Sequence, residues 1–299
     1  MDKNIKVKPF GGPAYEKEDL MKMDSELLRA LLRERAHHNI EVPFYPLLRK
    51  WEGDPKPKFG QQAQMVFDVW KERGFTQDDP DIQWAKEYIE LAKRIRSGEK
   101  IEWNRPLSKP FNDKEMEVVN KLIYERRSIR DWVDKPVPDE IIEKILEAGR
   151  AAPIGCNLDE VRFVVLRDPK KIKMVRSDIP IKNAVLIVIC YDKRIPQVVA
   201  QDKFVPQNGG FDAAAAADHM LLMAHALGLG AVWLSKTVES EKTKDTGEKF
   251  KEEYGLPEYI EVALHIALGW PAIGTIKTKR MPLSNMIISR NSFKKKAKK

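Results

Sequence analysis

Two adjacent arginines and a serine, Arg126-Arg127-Ser128, form the cluster of side chains with the clearest chemical use in this sequence. The guanidinium groups supply positive charge and forked N–H donors, and the serine adds a hydroxyl. Such donors bind a phosphate monoester or the electron-rich edge of a heterocycle. Charged clusters are also commonly exposed surface turns, so these residues alone leave both interpretations open.

The sequence contains few motifs for metal binding, nucleophilic catalysis or nucleotide binding. The five histidines form neither an HExxH pair nor a zinc-spaced set with the two cysteines, so we expect no metal site. Cys156 and Cys190 are expected to be reduced thiols, with Cys190 buried at the end of an apolar run. Gly228-Leu-Gly230 lacks the third glycine and the later acidic residue of a dinucleotide fingerprint. Hydrolase elbows, kinase motifs and P-loops are also missing from the sequence, and no catalytic side chain is assigned.

Four segments, in order along the chain, resemble the FMN-dependent nitroreductase family. The first begins with Ile-Tyr-Glu-Arg-Arg-Ser at Ile123 and reaches Ala-Ala-Pro-Ile-Gly-Cys-Asn at Asn157. The second is Ala-Leu-Gly-Leu-Gly-Ala-Val-Trp-Leu-Ser, residues 226–235. The third and fourth are Leu-His-Ile-Ala-Leu-Gly-Trp-Pro, residues 264–271, and Lys-Thr-Lys-Arg-Met-Pro, residues 277–282. Together the resemblance covers about residues 113–289.

The resemblance implies a phosphate clamp built from two distant parts of the chain. Arg126 and Ser128 would hold the phosphate and ribityl end of FMN, with Arg127 towards the isoalloxazine. Lys279 and Arg280 would complete the clamp. A dianionic phosphate gains charge-assisted hydrogen bonds from several cations, so the physical chemistry agrees with this arrangement. Composition alone is equally consistent with an exposed charged loop around Lys279.

For the flavin ring, the resemblance implies contacts from two further segments. Asn157 matches an asparagine that reaches the flavin from the neighbouring subunit of a homodimer, although turns also commonly use asparagine. The backbone of Trp233, Leu234 and Ser235 would lie near flavin N5.

Beside Asn157 the sequence departs from the family pattern. Asp159, Glu160 and Val161 stand where a glutamine, a proline and a tryptophan are common, and Ile154 replaces a common serine. An acidic side chain close to the ring would disfavour negative charge on reduced flavin. The side chains of Asp159 and Glu160 are therefore expected to face substrate, the partner subunit or solvent.

The activity that the resemblance implies is transfer of hydride from NADH or NADPH to FMN, followed by reduction of a small acceptor in the same pocket. Nitroaromatics and quinones are the generic acceptors. Reductive dehalogenation and reduction of activated double bonds are alternatives within the same fold. A non-catalytic flavin-binding or nucleic-acid-binding protein is the alternative from another class.

Alternating and periodic patterns predict the elements that hold these residues. Four β-rich runs predict strands over residues 161–166, 184–190, 230–234 and 260–268. Helices are predicted from Asn112, a candidate N-cap, through Tyr124, from near Pro138, and over residues 212–227. Helices interleaved with a few strands indicate a three-layer α+β or α/β domain. The family resemblance implies an α+β fold with a central, mainly antiparallel sheet.

Residues 1–112, here called the N-terminal extension, are predicted to be helical. Apolar residues recur at helical spacing in three stretches, within residues 24–40, 65–70 and 84–95. In the first stretch, Arg29, Arg33 and Arg35 are expected to lie away from the apolar face. Proline-containing residues 101–111 predict an extended connector before the main domain, residues 113–289.

The net charge of +8 is largely local. Residues 294–299 contain five lysines without aromatic residues, which predicts a solvated, disordered tail over residues 290–299 rather than a nucleic-acid site. A mildly basic surface also favours anionic substrates. The longest apolar run is too short to span a membrane and no secretory signal is visible, so a cytoplasmic protein is expected.

Overall fold

A four-stranded antiparallel sheet forms the centre of the molecule. The computed structural model describes residues 5–9, 11–50, 57–176, 183–235 and 250–289. Within them the strand order is β1-β2-β4-β3, and each neighbouring pair is antiparallel. The strands are β1 (Val161–Leu166), β2 (Val185–Asp192), β3 (Gly230–Ser235) and β4 (Ile260–Gly269). Valine and isoleucine are frequent in them because branched side chains pack well on a pleated surface. The four predicted strands are confirmed to within two residues.

Helices come before the sheet and also cover it. A π-helix, His37–Glu41, continues the second helix into the third. The α-helices used below are α1 (Lys17–Lys22), α2 (Ser25–Ala36), α3 (Val42–Lys50), α4 (Gln61–Glu72), α5 (Pro80–Arg96), α6 (Asp113–Glu125), α7 (Asp139–Arg150), α8 (Pro169–Val175), α9 (Arg194–Val198) and α10 (Asn208–Ala226).

The two faces of the sheet belong to two different hydrophobic clusters. Side chains alternate between faces along a strand. Ile187 and Ile189 of β2 therefore pack in one cluster with residues of α7 and α10, such as Ile145 and Met220. Val188 packs in the other, which also contains residues of α8 and residues 129–132. This is the predicted three-layer α+β arrangement.

The N-terminal extension has a hydrophobic cluster of its own. Its core is formed by α2, α4 and α5, the three amphipathic helices that the spacing predicts. Leu158, Ile195, Val198 and Val199 belong to the same cluster, although they lie in the main domain. The extension is thus packed against residues 158 and 195–199.

Helix α6 leads directly to the candidate site, and its start is well defined. Asn112 accepts hydrogen bonds from the amides of Lys114 and Glu115, while the Glu115 carboxylate accepts one from the Asn112 amide, a capping box. Every residue of α6 is at least partly exposed, including the apolar Val118, Ile123 and Tyr124. Several apolar side chains around this helix are therefore uncovered in the single chain.

None of the described helices is both long and apolar enough to cross a bilayer. The basic tail predicted over residues 290–299 lies outside the described residues.

Candidate functional site

The segment Arg126-Arg127-Ser128 runs from the end of α6 onto the sheet. Arg126 is the C-cap of α6, and its extended backbone turns the chain away from the helix. Ser128 then forms a parallel bridge with Ala231 of β3, and the Ile129 amide donates to the Ala231 carbonyl at 3.1 Å. The structure therefore places the Arg-Arg-Ser cluster at the outer edge of β3, about 100 residues away in sequence.

Trp132 fixes this segment to the sheet. Its side chain is buried, and its Nε1 donates to the Gly230 carbonyl at 2.8 Å. A Cβ atom at Gly230 would lie 2.6 Å from Ile129, so the close approach of the segment to β3 requires glycine there. A bridge between Trp132 and Pro271 joins the same segment to the chain after β4. Residues 128–132 are thus held from both sides.

The positive charges of Arg126 and Arg127 have no carboxylate counter-ion among the described residues. No described carboxylate forms a salt bridge with Arg126 or Arg127, whereas Arg150 and Arg162, for example, pair with glutamates. Arg127 Nη1 donates to the carbonyls of Tyr124 (2.8 Å) and Arg126 (2.6 Å) at the end of α6. Two neighbouring cations without a counter-ion suit an anionic ligand, so the residues present fit a phosphate group.

Strand β3 offers an open edge beside these cations. Trp233 and Ser235 are exposed, whereas Leu234 is buried. The Ala231 carbonyl points away from β4 to meet Ile129, and backbone groups alternate in direction along a strand. The N–H and C=O of Trp233 therefore face the same outer edge, where a planar ligand can meet backbone donors. The Ser235 carbonyl already accepts a hydrogen bond from Arg176.

Lys279 and Arg280 lie on the exposed chain that follows β4. The Ala272 amide donates to the Asp131 carbonyl at 3.1 Å, so this chain starts next to the Trp132 segment. Both cations are exposed, and the described hydrogen bonds and ion pairs do not link either of them to Arg126 or Ser128. Their place in a phosphate clamp stays a prediction.

Asn157 lies against the N-terminal extension. Arg33 of α2 donates from Nε to the Asn157 carbonyl and from Nη2 to its Oδ1, each at 2.9 Å. Arg33 Nη1 also lies 3.2 Å from Asp81 and 3.4 Å from Asp159. No described hydrogen bond or ion pair connects Asn157 with Arg126-Arg127-Ser128 in the same chain.

Two of the α2 arginines that were expected to lie away from the apolar face are nevertheless buried. Arg33 and Arg35 are buried, at 8% and 4% exposure. Their burial is possible because Arg33 finds Asp81 and Asp159, while Arg35 pairs with the buried Glu34. Sequence periodicity does not show these partners, so Arg33 was missed as a residue that contacts Asn157.

The domain around this site is similar in sequence to known proteins. The model of the nitroreductase family matches residues 123–189 and 178–270. An Archaeoglobus fulgidus protein named "Putative NADH dehydrogenase/NAD(P)H nitroreductase" is 36% identical over 161 residues, covering 52% of this chain and 87% of that protein. The chain belongs to the nitroreductase family.

A further relative agrees with this assignment. The "FMN reductase [NAD(P)H]" of Bacillus subtilis is 28% identical over 183 residues, covering 56% of this chain and 71% of that protein. The solved structure of the hypothetical oxidoreductase YcnD from Bacillus subtilis has the same fold, with a TM-score of 0.50 at 24% identity, over 60% of this chain and 76% of that one. The nitroreductase domain, residues 123–270, is thus that of a nitroreductase-like oxidoreductase, and the family match leaves the helical N-terminal extension uncovered.

The nitroreductase domain contains a buried pair of carboxyl groups next to Asn157. Glu160 is fully buried, and Asn208 Nδ2 donates to it (3.3 Å) and to Asp212 (2.9 Å). Asp212 also accepts from the Gly155 amide at 3.0 Å. Glu160 therefore faces the protein interior, and not substrate, the partner subunit or solvent as expected, because Asn208 binds it beside Asp212. Asp159 is half exposed and contacts Arg33. The pair ties the turn before Asn157 to the start of α10.

Burial, and after it repulsion by Asp212, raises the pKa of Glu160 from 4.5 to about 8. The folded chain thus binds this proton more tightly than the unfolded chain. The contribution of protonated Glu160 to the free energy of unfolding is fully present below about pH 4.5. It is lost as the pH rises towards about 8, by at most about 1.4 kcal/mol per pH unit. Glu160→Gln, which keeps the neutral shape, should remove this slope.

Urea denaturation of the wild type and of Glu160→Gln across this pH interval tests the expectation. The exposed Glu147, which pairs with Arg150 on the surface, provides the matched control Glu147→Gln, which should leave the slope as in the wild type. If the free energy of unfolding changed with pH in the same way for wild type and Glu160→Gln, Glu160 would already be ionised in the folded chain.

Proposed function

We propose that this chain is an FMN-dependent oxidoreductase that oxidises NADH or NADPH and reduces a small nitroaromatic or quinone in the same pocket, in ping-pong order. The observation that carries the proposal is the uncompensated pair Arg126 and Arg127 beside the open edge of β3. The FMN reductase relative of Bacillus subtilis supports the choice of flavin and of a nicotinamide donor.

The residues of this chain would bind and orient the cofactor. Arg126 and the Ser128 hydroxyl would donate to the FMN phosphate and ribityl chain, with Lys279 and Arg280 closing on the phosphate from the exposed chain after β4. Arg127 and the outward backbone groups of Trp233 would lie along the ring, with Leu234 and Ser235 completing the strand beneath it. When bound, the flavin supplies the two-electron chemistry, so the protein needs no nucleophile of its own.

A homodimer with FMN at the subunit interface is part of the proposal. Exposed apolar side chains are numerous on α6 and on residues 273–288, and clusters of exposed apolar side chains commonly mark an interface. These side chains are Met116, Val118, Ile123, Tyr124, Ile273, Ile276, Met281, Leu283, Met286 and Ile288. A partner subunit covering them would also bring its own Asn157 towards this site. Light scattering of the purified protein should give the mass of a dimer.

The activity is tested with protein reconstituted with FMN. We expect retention of bound flavin after gel filtration, and bleaching of its visible absorbance by NADH or NADPH without oxygen. Addition of a nitroaromatic, a quinone, a halogenated aromatic or an activated alkene, followed by product analysis, then identifies the acceptor class. Protein that fails to bind FMN would overturn the proposal. Flavin that binds but stays oxidised with both donors would favour a non-catalytic flavoprotein.

Arg126→Ala should weaken FMN binding. Loss of a charged hydrogen-bond donor costs about 1.5–3 kcal/mol, which corresponds to roughly a 10- to 150-fold higher Kd. Arg130, exposed two residues beyond Ser128, gives the control Arg130→Ala, for which we expect an unchanged Kd. Fluorescence titration of apoprotein with FMN measures both. Equal dissociation constants for the two variants would remove Arg126 from the site.

A further inference from the structure

A cleft between the N-terminal extension and the nitroreductase domain contains Asn157. It has a volume of about 380 Å³ and is here called the boundary cleft. Ile154 and Asn157 line it from the nitroreductase domain, and Arg33 and Trp84 line it from the extension. Sites for small molecules usually have volumes of about 300–1,000 Å³, so the boundary cleft is large enough for a compound of one or two rings.

Arg33 fixes the orientation of the Asn157 amide. Arginine has only hydrogen-bond donors, so the amide atom that lies 2.9 Å from Arg33 Nη2 must be the oxygen of Asn157. Arg33 Nε also donates to the Asn157 carbonyl, and this second bond holds the arginine on the turn. The Nδ2 of Asn157 takes part in none of the described hydrogen bonds, so its N–H groups are left for a ligand.

The turn that carries Asn157 has an unfavourable backbone conformation. Cys156 and Asn157 have φ values of +53° and +58°. Such values cost free energy in residues with a Cβ atom, and they persist at ligand sites where surrounding contacts impose them. Here Arg33 holds one end of the turn, and the buried Asp212 accepts from the Gly155 amide at the other end. The two contacts thus keep the Asn157 amide at the boundary cleft.

Trp84 gives the boundary cleft an aromatic wall. It is partly buried, and its indole packs against Tyr88 with ring centroids 5.3 Å apart. Ile154 adds an apolar side chain from the nitroreductase domain. A planar aromatic ligand gains buried area and a favourable ring contact against an indole. Apolar walls next to a fixed N–H donor therefore suit an aromatic compound that carries an oxygen acceptor.

A larger cleft, of about 760 Å³, also contains Arg33 but suits such a ligand less well. Its charged residues Arg150 and Arg162 already pair with Glu147 and Glu26. The Asn157 amide does not line it, so the larger cleft lacks the fixed donor. An uncharged aromatic compound is thus better matched to the boundary cleft.

We propose that the boundary cleft is the acceptor site and that the N-terminal extension forms one of its walls. This role rests on the proposed function, in which a partner subunit brings its own Asn157 towards the flavin. Trp84 contacts the ring of a nitroaromatic or quinone of one or two rings. Asn157 Nδ2 donates to a nitro or quinone oxygen, and Arg33 is the positioning residue for this amide. The choice of acceptor thus depends on helices that the family match leaves uncovered.

Equilibrium binding without turnover tests the site. Oxidised protein with bound FMN is titrated with 4-nitrobenzamide in the absence of NADH and NADPH, and calorimetry gives the Kd. Trp84→Ala should raise this Kd about fivefold or more, whereas Trp84→Phe, which keeps an aromatic ring, should raise it less than about threefold. Arg150, which lines only the larger cleft, gives the control Arg150→Ala, for which we expect an unchanged Kd.

A double-mutant cycle tests the positioning role of Arg33. Arg33→Lys keeps the charge but loses the paired hydrogen bonds to Asn157, so the Kd of 4-nitrobenzamide should rise about two- to tenfold. In the Asn157→Ala background the same change should have no further effect, because the amide that Arg33 orients is absent. An equal loss in both backgrounds would show that Arg33 does not act through Asn157.

Three results would overturn the proposal and leave the proposed function intact. They are no detectable binding of 4-nitrobenzamide to the wild type, an equal Kd for the wild type and Trp84→Ala, or a higher Kd for Arg150→Ala alone. Failure of the proposed function looks different, because the wild type would then not retain FMN or would not reduce a nitroaromatic. Trp84→Leu keeps an apolar side chain without the ring, so it replaces Trp84→Ala if that variant does not fold.

Discussion

Trp132→Ala should lower the free energy of unfolding by about 3–5 kcal/mol, the usual cost of removing a buried tryptophan. The side chain is 5% exposed, packs against Gly269 and donates to the Gly230 carbonyl. The variant leaves a cavity above β3 and removes one hydrogen bond to the Gly230 carbonyl. Because Trp132 holds the segment that carries Arg126, FMN affinity should also fall by more than in Arg126→Ala.

Urea denaturation followed by far-ultraviolet circular dichroism measures the first effect, and FMN titration of the folded fraction measures the second. Trp132→Phe keeps most of the volume but loses the N–H, so we expect a loss of only about 1–2 kcal/mol. Trp233→Ala, at an exposed tryptophan of the same strand edge, is the control for stability and should change it by less than about 1 kcal/mol. Equal stabilities for Trp132→Ala and Trp233→Ala would show that Trp132 does not fix the segment.

Arg33→Met should destabilise the chain by about 3 kcal/mol or more, since two hydrogen bonds from a charged donor to Asn157 are lost, each worth about 1.5–3 kcal/mol. The variant keeps the length of the side chain but deprives Asn157 of two hydrogen bonds and Asp81 of one cation. Asp81 also binds Arg29, which limits the loss at that carboxylate. Most of the effect is therefore expected at the Asn157 turn.

Arg162→Ala is the matched control for Arg33→Met. Arg162 pairs with Glu26 across the same boundary between extension and domain, but both side chains are more than a third exposed. A pair of this kind contributes about 0–1 kcal/mol. Arg162 also donates to the carbonyls of Asp159 and Val161, so the comparison uses the amides of residues 155–157. Their hydrogen exchange, measured beside the urea titration, should rise in Arg33→Met and stay unchanged in Arg162→Ala. A similar exchange pattern in both would mean that Arg33 does not hold the turn.

The sequence was sufficient for the four strands and for helices α6, α7 and α10, but it did not predict the short helices α8 and α9. Runs such as residues 185–190 are apolar and β-branched, and such runs specify strands through burial on both faces. The capping box at Asn112 and Glu115 and the alanine-rich α10 are equally local signals. Packing of the sheet did not override them, so the predicted and observed elements agree closely.

The polar contacts at the boundary could not be predicted in this way. The periodicity of residues 24–40 indicates one helix, but it shows neither the π-helix at His37–Glu41 nor the burial of Arg33. The burial of Arg33 depends on a partner far away in sequence, Asn157. Charge on a helix predicts exposure by default, and only the folded chain shows which charges find a buried partner.

The hydrophobic cluster shared by the extension and the nitroreductase domain limits how this protein can evolve. Leu158, Ile195 and Val198 are covered by the N-terminal helices, so truncation before residue 113 would expose an apolar surface patch on the remaining domain. A shorter descendant would need polar substitutions at these positions before it lost the helices. The N-terminal helices therefore cannot be removed alone without exposing apolar surface to water.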